Sequence, residues 1–142
     1  MIYLDTGCLL KLYYPEPESQ RLVELVAGQV IALVLLHELE LANALELKLL
    51  RREAKPSQVR ATHALVEKDA RDGILHRPAV NWDEVLRDGK AVARSHTRGM
   101  GCRSLDILHC AIARSLSATS FLTTDTRQRR LAEALWLACP SI

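Results

Sequence analysis

Met1-Ile-Tyr-Leu-Asp5 opens the chain with apolar and aromatic positions that run straight into a carboxylate. A run this short and unbroken predicts a buried strand ending at its carboxyl edge in Asp5. Val30-Ile-Ala-Leu-Val-Leu-Leu36 is a longer continuous apolar run, the pattern of a parallel strand covered on both faces. Ser120-Phe-Leu-Thr-Thr124 predicts a third strand, and residues 74–78 predict a weaker one.

Elsewhere the apolar positions recur with a helical period. Residues 8–14 predict about two helical turns, stopped by Pro15 and Pro17. Ser19 is expected to cap a helix through roughly Ala27, with Gly28 as its stop. Residues 37–52 are rich in Leu, Ala, Glu and Lys and predict a long helix. Pro56-Ser57 opens another, running to about Asp72 before Gly73. Asn81 or Asp83 starts a helix that fades near Gly99, and residues 98–103 predict a loop carrying two glycines. Ser104 is expected to cap the next helix, with Leu105, Leu108, Ile112 and Leu116 as its stripe. A final helix follows Asp125, over about residues 126–137. Strands alternating with helices imply an α/β fold: one domain over residues 1–142, in three α/β/α layers around a short, mainly parallel central sheet.

Composition sharpens this. Hydrophobic residues make up 49% of the 142 positions, enough for a real core and against disorder. Aromatics are only 4%, so aliphatic side chains must fill the interior. A net charge of +2 is compatible with nucleic acid without pointing to it. Cys8, Cys102, Cys110 and Cys139 form no C-x-x-C pair and read as buried free thiols of a reducing compartment. Asp5 interrupts the first apolar run and no run is long enough to span a bilayer, so a cytoplasmic protein without membrane association is expected.

The candidate chemistry lies in where the acids fall. Asp5 and Asp125 end strands; Glu38, Glu40 and Asp106 lie in the first turns of helices that follow the carboxyl side of the sheet. In a right-handed parallel fold these positions share one edge, where ligands bind. Any one of them is explained by capping or by the helix dipole. Together they should raise one another's pKa values, which a divalent cation would relieve. Oxygen-only ligands favour Mg²⁺ or Mn²⁺. Glu38 and Glu40 stand about 200° apart on a helix, so only one can face the edge. Glu40, which shares a face with Asn43, is the expected one.

Asp5-Thr6, Leu39-Glu40-Leu-Ala-Asn43, Arg103-Ser-Leu-Asp106-Ile-Leu-His109 and Phe121-Leu-Thr-Thr-Asp125-Thr-Arg-Gln128 stand in the order found in PIN-domain nucleases. The chain resembles this family over nearly its whole length, and within it the VapC-type toxins of toxin–antitoxin pairs. The resemblance implies a metal-dependent endoribonuclease whose acidic quartet is Asp5, Glu40, Asp106 and Asp125. Asp5 and Asp106 would be direct ligands of Mg²⁺ or Mn²⁺, and Glu40 and Asp125 would act through water. It also implies homodimerisation and a cognate antitoxin that blocks the pocket. Gly7 departs from the hydroxyl residue frequent there, which leaves Thr6 as the nearby hydroxyl.

Carboxylate-held Mg²⁺ suits phosphodiester hydrolysis, and an acidic pocket needs basic residues around it to hold RNA. Thr6, Asn43, Arg103 and Arg127 are the candidate substrate contacts, with Arg98, Arg129 and Arg130 as further rim cations. Other readings compete. Asp5-Thr6-Gly7 is the triplet of aspartic proteases, but those need two copies in a β-rich fold. Phosphoryl transfer to Asp5 is a second alternative, and a non-catalytic PIN-like binding module a third. His37, His63, His76 and His96 are expected as surface or capping groups, and Trp82 and Trp136 as packing. His109, three residues after Asp106, is within reach of the site, yet such a histidine is more often a satisfied interior residue. Leu9, Leu12, Tyr13, Tyr14 and the Leu-rich helix after Leu39 are expected to offer surface to a partner.

Overall fold

A computed structural model describes residues 1–142. In chain order it contains β1 (Tyr3–Leu4), α1 (Thr6–Tyr13), α2 (Ser19–Val26), β2 (Ile31–Ala32), α3 (Leu35–Leu50) and α4 (Pro56–Arg71), followed by β3 (Leu75–His76), α5 (Trp82–Met100), α6 (Ser104–Ser115), β4 (Phe121–Leu122) and α7 (Thr126–Ala134). β1 pairs with β4 and β2 with β3, both parallel, in the registers Tyr3 with Phe121 and Ile31 with Leu75. A parallel bridge between Ile2 and Ile31 joins the two pairs. Across it Ile2 N–H donates to Val30 O (2.9 Å) and Ala32 N–H donates to Ile2 O (3.0 Å). The strand order is therefore β3-β2-β1-β4, and all four strands point the same way.

The pleat sorts the core. Tyr3, Ala32, Val34 and Phe121 face one side and pack against Val85, Val92, Ile107, Cys110, Ile112 and Leu131 from α5, α6 and α7. Ile2, Leu4, Ile31, Leu33, Leu75 and Leu122 face the other, against Leu9, Leu22, Leu41, Leu45, Val59 and Val66 from α1 to α4. This is the three-layer α/β/α arrangement, and a sheet buried on both faces explains why its strands read as continuous apolar runs.

Several boundaries differ from expectation for local reasons. The run Val30–Leu36 does not remain a strand: the ladder ends when Leu33 N–H donates to His76 O (2.8 Å), and α3 begins at Leu35. His37 is the cause. Its Nδ1 accepts the Val34 N–H (3.2 Å), satisfying an amide that the new helix leaves open. Further along the chain, α5 continues through Gly99 and stops at Gly101, whose φ of 66° lies in the left-handed region. The expected two-glycine loop is therefore shorter, and Gly99 is helical. Ser19 is the first residue of α2 rather than its cap, its Oγ accepting Glu16 N–H (2.8 Å). Ser104 likewise opens α6 without capping it; Asp106 closes that end.

Trp136 does not pack: it is 95% exposed at a left-handed turn after α7. Trp82 does rest against the core. Cys8, Cys102 and Cys110 are buried free thiols as expected, whereas Cys139 is partly exposed. Leu9 is buried, Tyr13 OH donates to Asp69 Oδ2 (2.9 Å) and Tyr14 OH to Glu53 O (2.9 Å), so this stretch holds α1 to the domain. No helix is long and apolar enough to cross a membrane.

Candidate active site

The carboxyl ends of β1 and β4 open onto a cavity of about 330 Å³ lined by Asp5, Thr6, Glu40, Arg103, Asp106, His109, Asp125 and Gln128. Asp5 arrives there because the ladder carries it: its N–H donates to Leu122 O (2.9 Å), fixing its backbone at the strand end. Its Oδ1 accepts Cys8 N–H (2.6 Å) and so caps α1, while its second carboxylate oxygen has no partner within the protein. Asp125 caps α7 in the same manner, Oδ1 accepting Arg127 N–H (2.8 Å) and Gln128 N–H (3.0 Å). Asp106 sits three positions past the cap, as the third residue of α6, and its Oδ2 accepts Arg103 N–H (3.0 Å). Capping and convergence are thus both true of these acids.

Arg103 is the cation among them. Its guanidinium donates to Asp106 from Nε (3.2 Å to Oδ2) and Nη2 (3.3 Å to Oδ1), and Nη2 also reaches Asp125 Oδ2 (3.3 Å). Glu40 enters from α3. Its Oε2 accepts the Thr6 hydroxyl and stands 2.7 Å from His109 Nε2, while its Oε1 has no protein donor. Glu38, on the opposite side of α3, turns away and accepts Arg77 Nε (2.9 Å).

The electrostatics differ from a bare acidic cluster. Burial pushes Glu40 up, but the hydrogen bonds from His109 and Thr6 outweigh it and hold the carboxyl below its usual range. Asp125 is also held low, first by the Gln128 N–H and then, against some desolvation, by Arg127 N–H and the Arg103 charge. Mutual raising of pKa values, the sequence expectation, does not describe these two; their donors decide. Beneath the pocket lies buried His37, with Nε2 2.9 Å from Leu4 O. Since Nδ1 accepts from Val34, Nε2 carries the proton and donates. Burial first, and then His109 beside it, lower its pKa to about 3, so it stays neutral.

The remaining candidates separate. Asn43 lies outside the acidic cavity, in an adjoining groove of about 510 Å³ with Leu10, Leu36, Leu39 and Leu47, whose wall Thr6 and Glu40 share. Arg127 is exposed at the rim, its Nη1 donating to Gly101 O (3.0 Å). Arg98 and Arg130 are exposed. Arg129 is not a rim cation: it clamps the C-terminal segment, donating to Thr123 O, Cys139 O and Pro140 O at 3.1, 2.8 and 3.0 Å.

No three His, Cys, Asp or Glu side chains form a ready-made metal cage. The donors that line the cavity nonetheless suit a hard divalent cation. The carboxylates outnumber the single guanidinium, and Asp5 and Glu40 each keep an oxygen free of protein donors. Below the cavity lies a ring cluster that no sequence period announces. There Tyr3 stacks on Phe121 and His37 on His109, with Tyr3 tilted to His37 and edge-on to His109; the sequence signals are a tyrosine inside an apolar strand and a histidine one turn after Asp106.

The sequence pattern of the PIN domain matches residues 2–134. Among solved structures the chain is similar to FitAcB from Neisseria gonorrhoeae, with a TM-score of 0.69 and 20% identity over 99% of this chain and 97% of that one. It is also similar to VapBC2 from Rickettsia felis bound to a DNA fragment from their promoter, with a TM-score of 0.65 and 16% identity over 99% and 98% of the two chains. At these identities the likeness is one of fold. No curated protein sequence matches.

Proposed function

The chain belongs to the PIN domain family, and on that premise we propose that it is a divalent-metal-dependent endoribonuclease, the toxin of a toxin–antitoxin pair. The observation that carries this reading is the convergence of Asp5 and Asp125, the caps of α1 and α7, with Glu40 of α3 and Asp106 of α6 on one cavity at the carboxyl edge of the sheet.

Asp5 and Asp106 are the direct ligands in this reading, and Glu40 and Asp125 complete the site through water. Bound there, Mg²⁺ or Mn²⁺ supplies Lewis acidity toward the phosphoryl oxygens and acidifies water. The protein supplies the rest. Glu40, held ionised by its donors, accepts a proton from water at Oε1. Arg103 and Arg127 take the RNA phosphates at the mouth, and Asn43 contacts a nucleotide that extends into the adjoining groove. Thr6 acts by holding Glu40. Water adds to phosphorus as Glu40 takes its proton, the bond to one ribose oxygen breaks, and that oxygen leaves with a proton taken from solvent water.

An antitoxin partner and a homodimeric toxin both belong to this reading; the fold likeness to VapBC2 and FitAcB supports the first of them. The test is incubation of a mixed RNA pool with purified protein and Mn²⁺ or Mg²⁺, with chelator and with DNA of the same sequences as controls. RNA cut only with metal, and DNA left whole, is the expected result. No RNA cleavage under any metal would reject it.

A further inference from the structure

His109 sits on α6, 3% exposed, one turn beyond Asp106. Its two ring nitrogens have different partners: Nδ1 lies 2.9 Å from Tyr3 OH and Nε2 lies 2.7 Å from Glu40 Oε2. A carboxylate held ionised can only accept, so Nε2 must carry a hydrogen. In the neutral ring Nδ1 is then the acceptor, and the Tyr3 hydroxyl donates to it. The donors run in one direction, from Tyr3 at the strand through His109 to Glu40 at the cavity.

The rings that carry this line cannot readily turn. Tyr3 stacks on Phe121 with centroids 5.7 Å apart and planes 9° apart. His37 lies 5.4 Å from His109 at 26° on the other side, itself fixed by Val34 N–H and Leu4 O. The line ends on a carboxylate that is still 23% exposed. Thr6 and His109 together occupy Oε2, so a side chain with three free torsions is reduced to one orientation with Oε1 unclaimed.

We propose that His109 is a positioning residue, with its Nε2–H tautomer set by the Glu40 carboxylate and completed by the Tyr3 hydroxyl at Nδ1, and that it presents Oε1 of Glu40 to the reaction. This deepens the nuclease reading and rests on it for its consequence, though not for its geometry. A buried histidine kept only for packing would satisfy its nitrogens on the backbone, as His37 does.

In the metal-free protein, a long-range ¹H–¹⁵N spectrum of the histidine rings should show His109 as the Nε2–H form with a slowly exchanging proton. An Nδ1–H form overturns the proposal whatever the RNA assay gives. Mn²⁺ affinity by calorimetry, and kcat and KM on RNA, are then compared for His109→Gln, His109→Asn and Tyr3→Phe. The glutamine amide reaches the place of Nε2, whereas the asparagine amide stops near the depth of Nδ1. His109→Asn should lose about tenfold or more in Mn²⁺ affinity and in kcat with KM unchanged. His109→Gln should recover most of both, and Tyr3→Phe, which keeps the ring stack, should fall between.

Equal loss in the Gln and Asn variants, or wild-type values for His109→Asn, would contradict the proposal. So would wild-type values for Tyr3→Phe, the variant that decides if the others fail to fold. Wild-type protein that binds Mn²⁺ in this His109-dependent way yet cuts no RNA would sink the nuclease reading and leave the positioning role intact.

Discussion

Asp5, Asp106 and Asp125 each give one carboxylate oxygen to a backbone amide at a helix start, so local structure and site geometry are set by the same side chains. Removing the charge and keeping the shape separates the two roles, because an Asn oxygen still caps. His37 shows how a residue below the pocket ties folding to pH. Its pKa falls from the model-compound 6.5 to about 3 on folding, so the unfolded chain binds the proton more tightly. Between those values stability must rise with pH, by at most roughly 1.4 kcal/mol per pH unit. The melting temperature should therefore drop as pH falls from 6.5 toward 4.5. Only below that do Glu40 and Asp125, whose carboxyls are held low, add their own loss. In His37→Gln the slope between pH 6.5 and 4.5 should flatten, and a slope equal to wild type would show that another group governs it.

At the scale of elements, the strands and helices that a repeating pattern announces were legible, whereas their ends depended on single side chains in three dimensions. Nothing in Val30–Leu36 says that the strand stops at Ala32; the Val34 amide finding His37 Nδ1 does. Gly99 and Gly101 look alike in sequence, yet only Gly101 needs the left-handed region. The glycines of α5 give a paired prediction. At Gly89 an added Cβ would meet Ile107 Cγ2 at 3.7 Å, ordinary contact within a helix interior. Gly89→Ala should stabilise by about 0.5–1 kcal/mol and raise the melting temperature by a few degrees. Gly101→Ala, at φ 66°, should destabilise by about 1 kcal/mol. Thermal melts of the two variants should move in opposite directions.

For the molecule as a whole, the four-stranded parallel sheet explains why acids far apart in sequence meet. Every strand delivers its carboxyl end to the same edge, which is the inference that placed Asp5 and Asp125 together from the pattern alone. What the pattern could not supply was the wiring. Arg103 spanning Asp106 and Asp125, His109 reaching Glu40, and Arg129 serving the C-terminal carbonyls instead of a ligand all follow from tertiary contacts with no sequence period.

With a net charge of only +2, RNA affinity should rest on a few rim contacts rather than on the global field. In an Asp106→Asn background, Arg127→Ala should then reduce the salt slope of log Kd for single-stranded RNA by about 0.7. An unchanged slope would remove Arg127 from the interface.

The acidic site is tested by cleavage of a mixed RNA pool, in Mn²⁺, by wild type, Asp5→Asn and Asp106→Asn, with circular dichroism confirming that all three are folded. The wild type should cut and both variants should be silent; full activity in either folded variant would contradict the site.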